Sequence, residues 1–239
     1  MRNASSVTAS NSTPASATTA RNPLAAMGVA RSIRENNRMS SLRQSLRCNH
    51  VSVPSPPDLG RLTANWNARW PQTPPIAFLL RGVHPDLWVR FHSLPGSKRY
   101  AETDAERRIV LARHHAVLEA LAPSSQCFVI ATQFASDPSE EDGALVASTH
   151  WQTIDAGEHF EEPAQLYVTS LPYPSAELDD VLMACADWRL ADVIVSPHDL
   201  RWLYHPYDGG ADVIAPSTAE RDQLKARFES WLSTHPAGL

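Results

Sequence analysis

The sequence predicts an α+β fold, a single domain with a mostly antiparallel sheet, flanking helices and a C-terminal hairpin plus helix. Strand-like runs and helical segments follow one another without the regular strand-helix alternation of a doubly wound fold. Two capping-box signatures mark the starts of helices. An Asp-Gly-Gly turn between two apolar runs marks a tight hairpin, in which consecutive glycines are expected to supply positive φ angles.

Composition divides the 239 residues into two parts. Residues 1–57 are rich in Ser, Thr, Ala, Asn and Arg, poor in aromatic residues, and end in a Pro-rich stretch. They are predicted to be a disordered low-complexity tail with a stiff linker. The tail could be a transit peptide, a disordered arm, or translation extended upstream of a start at Met39. Residues 58–239 are predicted to form the single α+β domain.

Four helices are predicted from apolar residues at helical spacing. The first begins at Asp58 as N-cap and ends before Pro71. The second begins at the capping box of Thr103 and Glu106 and is the longest. The third helix follows Pro174. The fourth begins at the second capping box, formed by Ser217 and Glu220. Their spans are residues 58–70, 103–121, 177–188 and 217–232.

Strands are predicted where short runs of β-branched, aromatic and other apolar residues lie between turn signals. In one of them, Trp88, Arg90 and His92 alternate with apolar residues and so should share one side of the sheet. The predicted strands are residues 76–80, 87–92, 127–134, 148–154, 165–170 and 192–196, followed by the hairpin of residues 201–205 and 211–215.

The predicted domain is acidic. The tail carries a net charge of +6 and residues 58–239 carry −11. Between His114 and Trp188 there is no Lys or Arg, and thirteen acidic residues fall in that interval. Such a segment repels phosphate backbones, which argues against nucleic-acid binding. It favours a basic partner or a cation, although a solvated acidic face is the alternative interpretation.

The leading functional hypothesis is a non-enzymatic acidic protein-binding domain that captures a basic protein partner in the manner of immunity proteins. The acidic stretch after the long helix would form the binding face. Its candidate residues are Glu140, Glu141, Asp142, Glu158, Glu161 and Glu162.

The alternative hypothesis is an enzyme, or a protein that binds a small anion or a metal. The Ser97-Lys98-Arg99 loop follows a strand and precedes a helix, where amide donors and cations favour an anion. The hairpin offers an imidazole and carboxylates, which are ligand types for divalent metals. The hypothesis predicts that loop and hairpin meet in one pocket, with candidates His92, Ser97, Lys98, Arg99, Tyr100, His205, Tyr207, Asp208 and Asp212.

Each candidate in these two segments also has a structural interpretation. Lys98 and Arg99 could pair with acidic neighbours, and Asp208 could serve as the turn residue before Gly209. No Gly-rich phosphate loop, H-E-x-x-H or G-x-S-x-G motif occurs in the sequence. The sequence therefore predicts no particular cofactor, no metal site and no catalytic residue.

The spacing of the cysteines and the length of the apolar runs indicate the cellular location of the protein. Cys48, Cys127 and Cys185 lie far apart and form no C-x-x-C pair, which predicts neither disulfides nor a zinc ribbon. The longest apolar runs fall far short of the ~20 residues that span a bilayer. A cytoplasmic protein without membrane association is expected.

Two segments resemble an uncharacterised bacterial protein family, namely HSLPGSKRYAET from His92 and WLYHPYDGGADVI from Trp202. The second segment is also similar to a bacterial domain of unknown function whose hairpin reads Tyr-Asp-Asp-Arg-Gly. Gly209 and Gly210 stand in that part of the hairpin here. The resemblance implies a bacterial, cytoplasmic protein and brings no known activity.

Overall fold

A seven-stranded antiparallel sheet organises the part of the chain that the computed structural model describes, residues 56–121, 125–134, 148–157 and 160–233. The order of strands across the sheet is β1-β7-β6-β5-β2-β4-β3. Every neighbouring pair runs antiparallel. The strands are β1 (Trp88–His92), β2 (Gln126–Phe134), β3 (Thr149–Ile154), β4 (Ala164–Pro172), β5 (Val193–Pro197), β6 (Leu203–Tyr207) and β7 (Gly210–Ile214).

Five α-helices accompany the sheet within the described ranges, and four of them begin at a side-chain cap. Asp58, Thr103, Ser175 and Ser217 each accept a hydrogen bond from a backbone N–H in the first turn. Thr103 and Glu106 form the predicted reciprocal capping box. The helices are α1 (Leu59–Arg69), α2 (Ala77–Val83), α3 (Asp104–Ala120), α4 (Ala176–Ala186) and α5 (Thr218–Arg227).

The sheet separates two apolar layers. Helices α3, α4 and α5 pack on one face through residues such as Leu118, Leu182 and Leu224. Helices α1 and α2 pack on the opposite face through Trp66 and Leu80. Because α1 and α2 are short, they cover β2 to β4 and one end of β6 and β7. The other end of that face carries the polar residues described below.

The predicted strand over residues 76–80 is wrong, because this segment forms helix α2. A five-residue apolar run fits either structure by composition. Ala77 and Leu80 both pack against the same core cluster. A strand would point residues three apart to opposite faces, whereas a helix brings them to one side.

The predicted α+β class with an antiparallel sheet is confirmed, as are the remaining predicted helices and strands, with small shifts at their ends. The hairpin strands lie closer to the turn than predicted, so that β6 ends at Tyr207 and β7 begins at Gly210. The predicted disordered tail lies almost entirely outside the described residues. No described helix combines the length and apolar character needed to cross a membrane.

His114 is a buried polar residue on the core face of α3. Its Nδ1 lies 2.6 Å from the hydroxyl of Tyr204 on β6, and its side chain is almost fully shielded from solvent. Burial, together with the neighbouring His115, lowers the pKa of His114 from 6.5 to about 4. The folded state therefore keeps this imidazole neutral in mildly acidic solution.

We expect His114 by itself to lower the free energy of unfolding by about 3 kcal/mol as the pH drops from 6.5 to 4. In this window the unfolded chain binds a proton at His114 that the folded chain does not. His114→Asn retains a polar atom near Tyr204 and should remove this contribution. Urea unfolding across the window measures it, with exposed His150→Asn as control. An unchanged pH dependence in His114→Asn would contradict the assignment.

Candidate functional site

Three strands align a row of polar side chains across one face of the sheet. His205 on β6 lies opposite Asp212 on β7, and Asp212 lies opposite Arg90 on β1. Two positions away along each strand, the next row on the same face is apolar. It consists of Leu203, Ile214 and Trp88. The sheet face therefore changes from apolar to polar within two residues along each strand, at the edge of the area that α1 and α2 cover.

Arg90 and Asp212 form a bidentate ion pair in the centre of this row. The Nε and NH2 groups of Arg90 donate to the two carboxylate oxygens at 2.7 and 2.9 Å, and the side chains are 14% and 9% exposed. Burial lowers the pKa of Arg90, but pairing with Asp212 outweighs this effect and raises it. The guanidinium also lies 5.1 Å from the centre of the Tyr207 ring.

The hairpin is joined to the loop after β1 through Asp208. Arg99 Nε and the hydroxyl of Tyr100 both donate to Asp208 Oδ2, at 2.6 and 2.7 Å. The carbonyl of Gly209 accepts from the N–H of Ser93 at 3.0 Å. The two segments singled out in the sequence thus meet in space, and buried Asp208 is the contact between them.

The glycines of the hairpin serve a purpose different from the one predicted. Neither Gly209 nor Gly210 adopts a positive φ, so this part of the hairpin prediction is wrong. A Cβ atom at Gly210 would overlap the carbonyl oxygen of Phe91 on β1. Gly210 is required because two backbones approach closely there.

An open cavity of about 560 Å³ lies over the polar row. The aromatic side chains of Phe78 from α2 and Trp188 from the loop after α4 line it, and they are 41% and 61% exposed. The remaining lining residues are Arg81, Arg90, Arg99, Phe134, Leu190, Ala191, Asp192, His205, Tyr207, Asp208 and Asp212.

Two residues in the cavity wall have unusual backbone conformations. Trp188 has a φ of 59° and Asp192 a φ of 51°, in the left-handed region that non-glycine residues seldom adopt. The αL conformation of Trp188 follows directly on the end of α4. Such conformations cluster at functional sites. Here they turn an exposed indole and a carboxylate towards the same cavity.

Arg81, Asp192 and His205 are cavity residues with polar atoms that make no hydrogen bond within the described residues. Exposed Arg81 makes no ion pair there, whereas Arg90 and Arg99 are each paired with an aspartate. Oδ2 of Asp192 and Nδ1 of His205 are buried without a hydrogen-bond partner. Burial raises the pKa of Asp192 and lowers the pKa of His205.

Of the nine residues predicted for a pocket, five line this cavity, namely Arg99, His205, Tyr207, Asp208 and Asp212. Tyr100 does not line the cavity but donates a hydrogen bond to Asp208. Lys98 points elsewhere and pairs with Glu102 and Glu106 at 3.0 and 2.7 Å. Ser97 and His92 do not line the cavity either, and Nε2 of His92 is buried without a hydrogen bond among the described residues.

The predicted acidic partner face falls mostly on residues that the structure does not describe. Glu140, Glu141, Asp142 and Glu158 lie outside the described ranges. Glu161 and Glu162 lie between β3 and β4. Capture of a basic protein stays a prediction. In the described ranges, no group of three or more His, Cys, Asp or Glu residues is arranged to hold a metal ion.

Sequence reasoning missed several cavity residues. Phe78 is predicted in a strand, Arg81 in no element, and Trp188 in a helix. Asp192 was read as the first residue of a strand. A run of apolar residues gives no indication that its helix borders a cavity, and only the sheet order places β1, β5 and β6 together.

The structure is an α+β domain with a cavity over one end of its sheet. Residues 76–236 match the family model of a domain of unknown function, DUF3885. The chain therefore belongs to that family. The predicted relation to an uncharacterised domain is thereby confirmed at this level. Neither the curated proteins nor the solved structures contain a significant match.

We expect Gly210→Ala to destabilise the fold by about 3 kcal/mol or more, because the new methyl group would force β7 away from β1. Gly82→Ala is the matched control, since nothing lies within 4 Å of a Cβ at that helical position. The control should be neutral or stabilise by up to about 1 kcal/mol. Chemical denaturation of both variants measures the difference, and equal stability would contradict the close approach.

Proposed function

We propose that this chain is a small-molecule-binding protein whose ligand is a small organic anion held in the cavity above the row formed by His205, Asp212 and Arg90. A volume of about 560 Å³ lies within the range of roughly 300–1,000 Å³ that small-molecule sites occupy. Such sites combine apolar walls with a few placed polar groups. This cavity has both.

The observation that carries the proposal is the unpaired guanidinium of Arg81. Asp212 and Asp208 balance the charges of Arg90 and Arg99. Arg81, in the last turn of α2, also lines the cavity and has no ion-pair partner in the described part of the chain. A planar, weakly hydrated guanidinium is the side chain best suited to a carboxylate or phosphate.

The apolar walls support a ligand that also has a flat organic part. Phe78 and Trp188 are two of the few large hydrophobic residues that are exposed within the described ranges. Both border the same cavity. Exposed apolar surface next to a concave polar site is typical of ligand binding.

The acidic character of the whole domain restricts the anion to a small one. A net charge of −11 over residues 58–239 repels an extended polyanion such as nucleic acid. A single arginine at a cavity mouth acts over a distance shorter than the Debye length, which is about 8 Å at physiological salt. A small anion near Arg81 is therefore attracted mainly by that guanidinium, because salt screens more distant acidic residues.

Thermal unfolding of the full chain with matched ligand pairs tests the proposal. The pairs are benzoate and benzamide, nicotinate and nicotinamide, and adenosine monophosphate and adenosine. We expect an anion, and not its neutral analogue, to raise the Tm by about 5 °C or more at a concentration near 100 times its Kd. Arg81→Gln should abolish the shift. Arg108→Gln, at an exposed position on α3, should preserve it.

Two outcomes would contradict the proposal. One is the absence of a Tm shift with every anion of the panel at millimolar concentration. The other is an equal shift in wild type and Arg81→Gln, which would place anion binding elsewhere on the protein.

A further inference from the structure

Two polar atoms of the cavity wall lack hydrogen bonds and lie on neighbouring elements. Oδ2 of Asp192 and Nδ1 of His205 are both buried, and neither has a partner in the described residues. Leaving such a group unsatisfied costs roughly 1–3 kcal/mol. Because both residues line the cavity, a bound molecule is positioned to supply the missing partners.

The carboxylate of Asp192 is fixed by its backbone and by its other oxygen. Oδ1 accepts a hydrogen bond from the N–H of Phe78 at 2.9 Å, and the left-handed φ of 51° sets the direction of the side chain. The hydroxyl of Thr132 lies close enough to interact with this carboxylate, although neither that hydroxyl nor Oδ2 takes part in a hydrogen bond of normal geometry. Oδ2 is therefore an oriented acceptor that a donor on a ligand can engage.

The imidazole of His205 is held in the polar row by its neighbours. Asp212 lies opposite it on β7, and the ring of Tyr207 lies 5.7 Å away between ring centres. Its side chain forms no hydrogen bond in the described residues. It can donate to an acceptor on a ligand, while Asp192 accepts from a donor.

The aromatic walls favour a planar ring between these polar groups. Phe78 is both the residue whose N–H fixes Asp192 and an exposed aromatic side chain. Trp188 provides the second exposed aromatic face, and the guanidinium of Arg99 lies 5.9 Å from the centre of its ring. Flat heteroaromatic rings stack on such surfaces.

We infer that the anion of the proposed function carries a lactam-type heteroaromatic ring, so that a ring N–H donates to Asp192 Oδ2 and the adjacent carbonyl accepts from His205. The ring packs between Phe78 and Trp188, and the anionic group binds Arg81. A mononucleotide with a guanine or uracil base has this chemistry. The inference rests on the proposed function and specifies its ligand class.

Isothermal titration of the full chain with four nucleoside monophosphates tests the inference. Guanosine and uridine monophosphate present the ring N–H beside a carbonyl, whereas adenosine and cytidine monophosphate lack it. We expect the first two to bind about tenfold or more tightly than the other two, since a mismatched base leaves buried groups unpaired.

Asp192→Asn supplies the decisive variant. Asparagine accepts the left-handed conformation readily, keeps an oxygen for the N–H of Phe78, and replaces the Oδ2 acceptor by an amide donor. The preference should shift by tenfold or more towards adenosine and cytidine monophosphate, whose ring nitrogens accept. Arg108→Gln is the control, and thermal unfolding without ligand verifies that each variant folds. His205→Gln provides a second variant and should weaken the preference for a carbonyl.

The outcomes separate this inference from the proposed function. Equal affinity for all four nucleotides, with no change in Asp192→Asn, would overturn the inference, while loss of binding in Arg81→Gln would still support an anion site. Binding of benzoate or nicotinate but of no nucleotide would also overturn it. Failure of every anion would overturn both.

Discussion

The ion pair between Arg90 and Asp212 is the interaction on which the arrangement of this site depends. It joins β1 to β7 through two short hydrogen bonds, at the point where the sheet face changes from apolar to polar. A buried ion pair contributes little net stability, because desolvation offsets the attraction, but losing one partner is costly. An apolar helix laid over this pair would desolvate it further. Helix α2 therefore lies beside the ion pair instead of covering it. This leaves a cavity, which Phe78 and Arg81 of α2 line.

The neighbouring hairpin turn is also held in place by a buried aspartate that pairs with an arginine. Asp208 is 3% exposed and is satisfied by Arg99 and Tyr100, which come from the loop after β1. The loop and the turn are thus held together by charged hydrogen bonds, which are stronger than neutral ones. Gly210 allows the two backbones to approach. Because these groups are already paired within the protein, Arg81, Asp192 and His205 are among the cavity groups left for a ligand.

The sequence was sufficient for the fold class and for most elements, because caps and alternation are local signals. Thr103 with Glu106 and the alternation of Trp88, Arg90 and His92 needed no knowledge of the rest of the chain. Helix α2 was misassigned because five apolar residues fit either structure until their packing is known. The hairpin was recognised as polar and tight, but its glycines are explained by the approach of Phe91, a contact across strands. Arg81, Trp188 and Asp192 join the site only through sheet order, which the sequence did not provide.

A crystal structure of the full chain grown with guanosine monophosphate tests the central claim most directly, namely that the uncovered polar end of the sheet is a ligand site. The account predicts electron density for the base between Phe78 and Trp188, within hydrogen-bond distance of Asp192, with the phosphate on Arg81. The account would be contradicted by a nucleotide bound at a different surface, or by a cavity that the protein's own side chains fill when the ligand is present at saturating concentration.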